Sequence, residues 1–308
     1  MNYIRLMRPF DWVKNLFVLL PIVFWLGGEG SGEGTFSSIL WPGTCAFVGF
    51  CLLSSAVYCF NDAVDAEKDR LHPIKRLRPV ASGAITPASA MALGTALGLG
   101  AFGLASVVSL NLAGIFGLYA LLQLVYNLGS KYVVLVDVVT VALGFVLRSI
   151  AGAYAIDIKL SVWLLLCVFF LCLYLGFIKR FCDLASATKA GEQDWKSRAG
   201  YDSPLELNLL LGMSFVLSTM MYVTYALSSH ASEIFGARAM GFALLTPLVL
   251  IVMHRFYRNA SEGRSDSPLV AILSDRIIQL GSFLFAAGIV VCLYVPGVER
   301  LLEEFFVN

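Results

Sequence analysis

The chain has 308 residues, of which 58% are hydrophobic and only 14% are charged. Because soluble domains carry charge on about a quarter of their residues, this composition excludes an ordinary soluble globular protein. The formal net charge of +1 gives no sign of a basic surface for nucleic acid, so we expect no nucleic-acid partner.

Nine apolar segments are long enough to cross the ~30 Å hydrocarbon core of a membrane. In chain order they cover residues 12–27, 41–60, 84–108, 111–128, 133–154, 161–178, 205–229, 237–255 and 275–296. The first is the weakest because it is short, contains Pro21 and starts among polar residues. Residues 1–15 lack an apolar run ending in a cleavage site, so we expect no removable signal peptide. The sequence predicts an all-α, polytopic membrane protein with a single domain over residues 1–308.

Lysine and arginine are distributed unevenly between the two sides of these segments. Eighteen lie at the N-terminus or in the loops that follow the second, fourth, sixth and eighth segments, and three lie on the opposite side. Because cytoplasmic loops carry the excess of Lys and Arg, we expect the N-terminus and these four loops in the cytoplasm.

A cluster of acidic and basic residues follows the second apolar segment. Its amide and carboxylate side chains fall within about 100° of one helix face: Asn61, Asp62, Asp65 and Asp69. Tyr58 lies one turn earlier, and the following loop contains Lys75 and Arg78. A self-neutralising surface is one interpretation, but carboxylates at the hydrocarbon boundary are costly without a partner. Since Mg²⁺ binds one or two carboxylates together with phosphate oxygens, the cluster indicates a magnesium–phosphate site.

The pattern N-D-x-x-D-x-x-x-D-R, followed by H-P-x-K-x-x-R-P-x-x-S-G over residues 61–83, resembles the first signature of the UbiA-type intramembrane prenyltransferases. The resemblance implies nine helices around a central cavity, with metal-bound diphosphate at its cytoplasmic mouth. It implies that Lys75 and Arg78 hold phosphate. The Mg²⁺ ligands that it implies are Asn61 and Asp65, with Asp62 or Asp69.

Three further segments resemble the polyprenyl-phosphate phosphoribosyltransferase branch of this superfamily. They are R-P-x-x-W-V-K-N at 8–15, Tyr126 to Lys131 with G-F-V-L-R-S-I-A-G at 144–152, and K-R-F-C-D-L at 179–184. Aromatic prenyltransferases of the superfamily usually carry a second Asp-rich motif at the third segment. This chain has Lys179, Arg180 and the lone Asp183 there, where the branch more often shows Glu at the last position.

Phosphoribosyl pyrophosphate and a polyprenyl phosphate together carry more phosphate than a prenyl diphosphate, and more phosphate requires more cations. The candidate substrate-binding residues are Lys14, Tyr58, Lys75, Arg78, Tyr126, Lys131, Arg148, Lys179 and Arg180. Positive-inside bias alone is the alternative explanation for the basic residues in loops. Arg148 shares a helix face with Asp137, about 16 Å deeper, and either lines the cavity or snorkels outward. Asp137 pairs with Lys131 or Arg148, or orients a substrate hydroxyl.

The resemblance implies a Mg²⁺-dependent transferase of the bacterial plasma membrane that works in cell-envelope precursor synthesis. Phosphoribosyl pyrophosphate would be the donor, a polyprenyl phosphate the acceptor, and Asp62, Asp65 and Asp69 the catalytic carboxylates. One alternative is an aromatic prenyltransferase that uses prenyl diphosphate. Another is a transporter, although transporters place their sites near the membrane midplane. The sequence does not determine the length of the lipid or the oligomeric state, and a homo-oligomer is compatible with it.

Overall fold

The computed structural model describes residues 2–27, 35–71, 75–189, 199–265 and 267–306. Within these ranges the chain is helical and contains no strand, which confirms the all-α prediction. The α-helices are α1 (Asn2–Met7), α2 (Leu20–Gly27), α3 (Thr35–Val64), α4 (Ala66–Arg70), α5 (Pro87–Val108), α6 (Leu110–Leu128), α7 (Val136–Ala155), α8 (Val162–Lys189), α9 (Pro204–Ala226), α10 (Ser229–Phe235), α11 (Arg238–Leu244), α12 (Thr246–Ser261), α13 (Pro268–Ser274), α14 (Arg276–Tyr294) and α15 (Val298–Phe306). Three 3₁₀ helices cover Pro9–Val18, Lys75–Leu77 and Ser130–Tyr132.

Nine helical stretches of the described chain are long and apolar enough to cross a membrane, which confirms the predicted number. The first of them, Asn2–Gly27, starts ten residues earlier than predicted and is divided into α1, a 3₁₀ helix and α2. Pro9 at the start of the 3₁₀ helix and Pro21 in α2 lack the amide hydrogen that a continuous α-helix needs. The cytoplasmic location of the N-terminus stays a prediction.

The chain divides into two compact units, and the prediction of a single domain stays a prediction. Unit one consists of Met1–Val23, Gly32–Leu128 and Gly144–Lys159. In its core the Phe50 ring makes edge contacts with Phe116 and Tyr119, at centroid distances of 4.7 and 5.0 Å. There α3 packs along α5 and against the 3₁₀ helix Pro9–Val18. These contacts fix α3, whose C-terminal end carries the acidic motif.

Unit two consists of Phe24–Ser31, Gly129–Leu143 and Leu160–Asn308. In it α8 packs against α9 and α12, and the buried Tyr174 hydroxyl donates to the Met253 carbonyl at 2.6 Å. Asp275 caps α14 by accepting from two backbone N–H groups. Although burial alone would raise it, hydrogen bonds from Asn259, these amides and Arg255 lower the pKa of Asp275. Asp275 therefore stays charged and holds α12 and α14 together.

Gly152 of α7 marks a close backbone approach in unit one. A Cβ at this position would overlap the carbonyl oxygen of Val18 in the 3₁₀ helix. We expect Gly152→Ala to lower the unfolding free energy by about 1–3 kcal/mol, because one of the two backbones must move. The measurement is thermal unfolding of the purified protein in detergent. Gly103→Ala is the matched control, since a Cβ there meets nothing within 4 Å; equal unfolding temperatures for both variants would contradict the prediction.

Candidate functional site

The acidic motif begins in the last turn of α3 and continues into α4. Although α3 ends at Val64, the Asp65 N–H donates to the Asn61 carbonyl and the Asp69 N–H donates to the Asp65 carbonyl, both at 2.9 Å. These bonds between residues four apart keep the helical spacing across the break. Asn61 and Asp65 are partly exposed, whereas Asp62 and Asp69 are buried.

Two arginines hold the buried carboxylates of this motif. Asp62 is 2% exposed, and its Oδ1 accepts from Arg8 Nη2 at 2.6 Å and from Arg78 Nη1 at 3.2 Å. The same Arg78 nitrogen lies 2.7 Å from Asp69 Oδ2. The Arg8 guanidinium also stacks over the Tyr58 ring, 4.6 Å from its centroid. The structure thus brings Asp62, Asp69, Arg78 and Tyr58 together, and adds Arg8.

Arg8 was missing from the predicted site. Its backbone adopts the left-handed conformation, with φ 53° and ψ 61°, at the junction before Pro9. This region is uncommon for a residue with a side chain, and such strain is frequent at functional sites. The R-P pair of the sequence was the available signal, but nothing local to it identifies Asp62, 54 residues away, as the partner.

The donor set of the motif fits a magnesium ion that takes few protein ligands. Asn61 and Asp65 offer hard oxygen donors and are partly exposed, and Mg²⁺ is bound by one or two carboxylates together with substrate phosphates. The described residues contain no group of three or more His, Cys, Asp or Glu that could hold a metal ion. Asp62 and Asp69 bind arginines instead, so the four-residue ligand set stays a prediction. Lys75 is partly exposed in its 3₁₀ turn, and residues 72–74 of the signature lie outside the described ranges.

The N-terminal motif R-P-x-x-W-V-K-N fastens the first 3₁₀ helix to α3. Trp12 Nε1 donates to Ser55 Oγ at 3.0 Å, and the fully buried Asn15 donates to Ser54 Oγ at 3.2 Å. Lys14, a predicted phosphate ligand, is partly exposed and pairs with Asp11 at 2.5 Å. The Trp and Asn of the motif are therefore structural, while Arg8 and Lys14 carry its charge.

Arg148 points into unit one, so the snorkelling alternative was wrong. It is 6% exposed, and its guanidinium donates to Asn15 Oδ1, the Gly144 carbonyl and the Tyr119 hydroxyl at 2.8–2.9 Å. The rings of Phe50, Tyr119 and Phe145 surround it at 4.8–5.6 Å. These neutral acceptors and ring faces stabilise the buried cation. Tyr126, in α6 of the same unit, is partly exposed.

In unit two, the pair Lys179–Arg180 is anchored by two carboxylates. Arg180 donates through Nε and Nη2 to Asp137 Oδ2, each at 2.8 Å. Lys179 lies 2.5 Å from Asp183, and Arg180 Nη1 lies 3.6 Å from the same carboxylate. Asp137 thus pairs with Arg180, a partner that the sequence did not suggest. Lys131 is buried, with its ammonium 5.5 Å from the Tyr132 ring centroid.

Tyr201 completes the Asp137 network and was missed from sequence. Its hydroxyl donates to Asp137 Oδ1 at 2.6 Å and accepts from the Leu135 N–H at 2.7 Å. Burial, reinforced by the bond to the carboxylate, raises the pKa of Tyr201 above its usual value, so the hydroxyl remains a donor. Leu135 itself is held at φ 68°, an outlier for a bulky residue. No sequence pattern links Tyr201 to a residue 64 positions earlier.

The chain is similar to known transferases. A model of the UbiA prenyltransferase family matches residues 16–275. The chain is 33% identical to the decaprenyl-phosphate phosphoribosyltransferase of Mycolicibacterium smegmatis, over 93% of this chain and 89% of that protein. It is 32% identical to the protein of the same name in Mycobacterium tuberculosis, over 93% and 92%. Its fold resembles that of a UbiA homolog from Archaeoglobus fulgidus solved with DMAPP and Mg²⁺, with a TM-score of 0.69 at 18% identity, over 96% of this chain and 100% of that chain.

Replacing Asp62 by Asn tests its structural role. We expect a loss of about 1–3 kcal/mol of unfolding free energy, because two guanidinium groups lose the carboxylate they share. Thermal unfolding in detergent measures the effect. Glu67→Gln is the control, since it removes an exposed acidic side chain of α4. An unfolding temperature for Asp62→Asn as high as that of the control would show that the buried pair does not stabilise the fold.

Proposed function

The chain belongs to the UbiA prenyltransferase family, and we propose that it transfers 5-phosphoribose from phosphoribosyl pyrophosphate to a polyprenyl phosphate, releasing diphosphate. The observation that carries this proposal is the similarity to phosphoribosyltransferases over 93% of the chain. The Lys179–Arg180 pair supports it, because these cations stand where the aromatic prenyltransferases carry a second acidic motif. The product would be a polyprenyl-phosphoryl 5-phosphoribose for synthesis of the bacterial cell envelope.

The metal site of the proposal is built on the acidic motif of unit one. Asn61 and Asp65 would hold Mg²⁺, with Asp62 and Asp69 as the further candidates of the predicted set. When bound, Mg²⁺ supplies positive charge that stabilises the departing diphosphate. Asp62 and Asp69 also orient Arg8 and Arg78, whose remaining N–H groups suit the phosphate oxygens of the donor.

The reaction would form a bond between a phosphate oxygen of the lipid and C1 of the ribose, and break the bond between C1 and the diphosphate. A phosphate monoester is largely ionised near neutral pH, so the attacking oxygen requires no strong general base. The protein contributes position and charge. Tyr58, Lys75 and Arg78 would bind the donor.

The remaining substrate-binding candidates are assigned to phosphates. Lys131, Lys179 and Arg180 would bind the lipid phosphate or the 5-phosphate of the donor. Lys14, Tyr126 and Arg148 stay predicted substrate-binding residues. The nine apolar helical stretches support a protein that crosses the membrane several times. The proposal places it in the bacterial plasma membrane, with its active site facing the cytoplasm. The acceptor reaches this site from the bilayer.

The direct test offers purified protein labelled phosphoribosyl pyrophosphate, a polyprenyl phosphate and Mg²⁺. We expect a labelled lipid and an equal amount of released diphosphate, because one diphosphate leaves for each ribose transferred. A parallel reaction contains a prenyl diphosphate and an aromatic acid. Turnover in the parallel reaction alone would replace the proposal with an aromatic prenyltransferase.

Asp65→Asn tests the metal site. We expect turnover to fall about 10²-fold or more, because one hard anionic ligand of the proposed metal is lost. The unfolding temperature should match the wild type, since Asp65 is only partly buried. Initial rates at several Mg²⁺ concentrations measure the change, with Glu67→Gln as a control of equal charge loss two residues away. Wild-type rates from Asp65→Asn would remove this residue from the metal site.

A further inference from the structure

Asp137 is a fully buried carboxylate whose acceptor positions are all used. Its Oδ1 accepts from the Tyr201 hydroxyl at 2.6 Å and from the Val138 N–H at 2.7 Å. Its Oδ2 accepts from Nε and Nη2 of Arg180, each at 2.8 Å. A carboxylate has about four lone-pair positions. Asp137 therefore has no oxygen position left to bind a metal, orient a substrate hydroxyl or accept a proton.

The two carboxylates beside Arg180 differ in how firmly they hold it. Asp137 is 0% exposed, and a charge pair this deeply buried is costly to break. Asp183 is 33% exposed and lies 3.6 Å from Arg180 Nη1, and such exposed pairs contribute little. An anion that replaces Asp183 at Arg180 Nη1 leaves Asp183 with its closer partner Lys179, at 2.5 Å, whereas replacing Asp137 would leave a buried carboxylate unpaired.

Tyr201 fixes the other end of the network. By accepting from the Leu135 N–H at 2.7 Å, its hydroxyl ties the carboxylate to the strained residue that precedes α7. The Val138 N–H and the Tyr201 hydroxyl therefore both hold the Asp137 carboxylate in place. The carboxylate in turn holds the Nε/Nη2 edge of Arg180. Arg180 keeps 19% of its side-chain surface exposed.

From this geometry we propose that Asp137 and Tyr201 are positioning residues, which hold Arg180 by one edge so that a substrate phosphate replaces Asp183 at its Nη1 group. The inference rests on the proposed function and extends it, because it names the residues that orient a phosphate-binding arginine. It also assigns Asp137 no part in proton transfer or metal binding. A purely structural tie between the start of α7 and residue 201 is the competing explanation.

A double-mutant cycle separates the two explanations. Tyr201→Phe removes only the hydroxyl. We expect it to raise KM for phosphoribosyl pyrophosphate or for the lipid about 5- to 10-fold, because this is the effect of losing one well-placed hydrogen bond. The value of kcat should change little. In the Arg180→Gln background the same substitution should have no further effect on KM, because Tyr201 acts through Arg180. Asp137→Asn should give the same pattern with a larger effect.

Tyr174→Phe is the matched control, because Tyr174 is also buried in unit two and its hydroxyl also makes a short hydrogen bond. We expect it to leave KM unchanged. The proposal is overturned if Tyr201→Phe lowers the unfolding temperature without changing either KM, or if its effects add to those of Arg180→Gln.

Binding of inorganic phosphate, the group common to the lipid phosphate and the 5-phosphate, to the purified protein is measured by calorimetry and separates this inference from the proposed function. Should the wild type fail to transfer phosphoribose, the proposed function fails, and the cycle is repeated with phosphate affinity as the readout. Weaker binding by Tyr201→Phe that disappears in the Arg180→Gln background supports the positioning role. Equal affinities for the wild type and Tyr201→Phe overturn it.

Discussion

Burying charge in an apolar protein is the constraint on which the rest of this structure depends. An unpaired ion away from water costs several kcal/mol, so charged side chains inside the chain must be paired and hydrogen-bonded. Each unit meets this requirement with a buried aspartate that forms ion pairs with arginine. Asp62 binds Arg8 and Arg78 in unit one, and Asp137 binds Arg180 in unit two. Arg148 meets it differently, with neutral acceptors and three aromatic rings.

This constraint divides the carboxylates into two kinds. The buried carboxylates bind arginine and orient its guanidinium group, as Asp62 and Asp137 do. The others keep part of their side chain exposed, as Asp65 and Asp183 do. The guanidinium groups of Arg8, Arg78 and Arg180 are therefore held in place by buried carboxylates before any substrate arrives. Such preorganisation is what electrostatic catalysis requires, because little reorganisation remains during the reaction.

The sequence was sufficient for the fold class and for the position of the main motif. Hydropathy over about 20 residues identifies a span without knowledge of its neighbours, and the acidic spacing placed Asn61 to Asp69 on one helical face. The sequence could not supply partners. Arg8 and Asp62 are 54 residues apart, Asn15 and Arg148 are 133 apart, and Asp137 and Tyr201 are 64 apart. Periodicity determines which face a side chain occupies, but only packing determines what it meets. The α3 partners of Trp12 and Asn15, which are Ser55 and Ser54, could not be predicted for the same reason.

The 133-residue separation between Asn15 and Arg148 has a consequence for biosynthesis. Proteins fold from the N-terminus as they leave the ribosome. The pairing of Arg8 with Asp62 needs only the first two spans and can form while most of the chain is still untranslated. The bond between Asn15 Oδ1 and Arg148 can form only after the fifth span has been synthesised. A nascent chain stalled between the second and fifth spans therefore contains both partners of the Arg8–Asp62 pair but lacks the arginine that Asn15 binds.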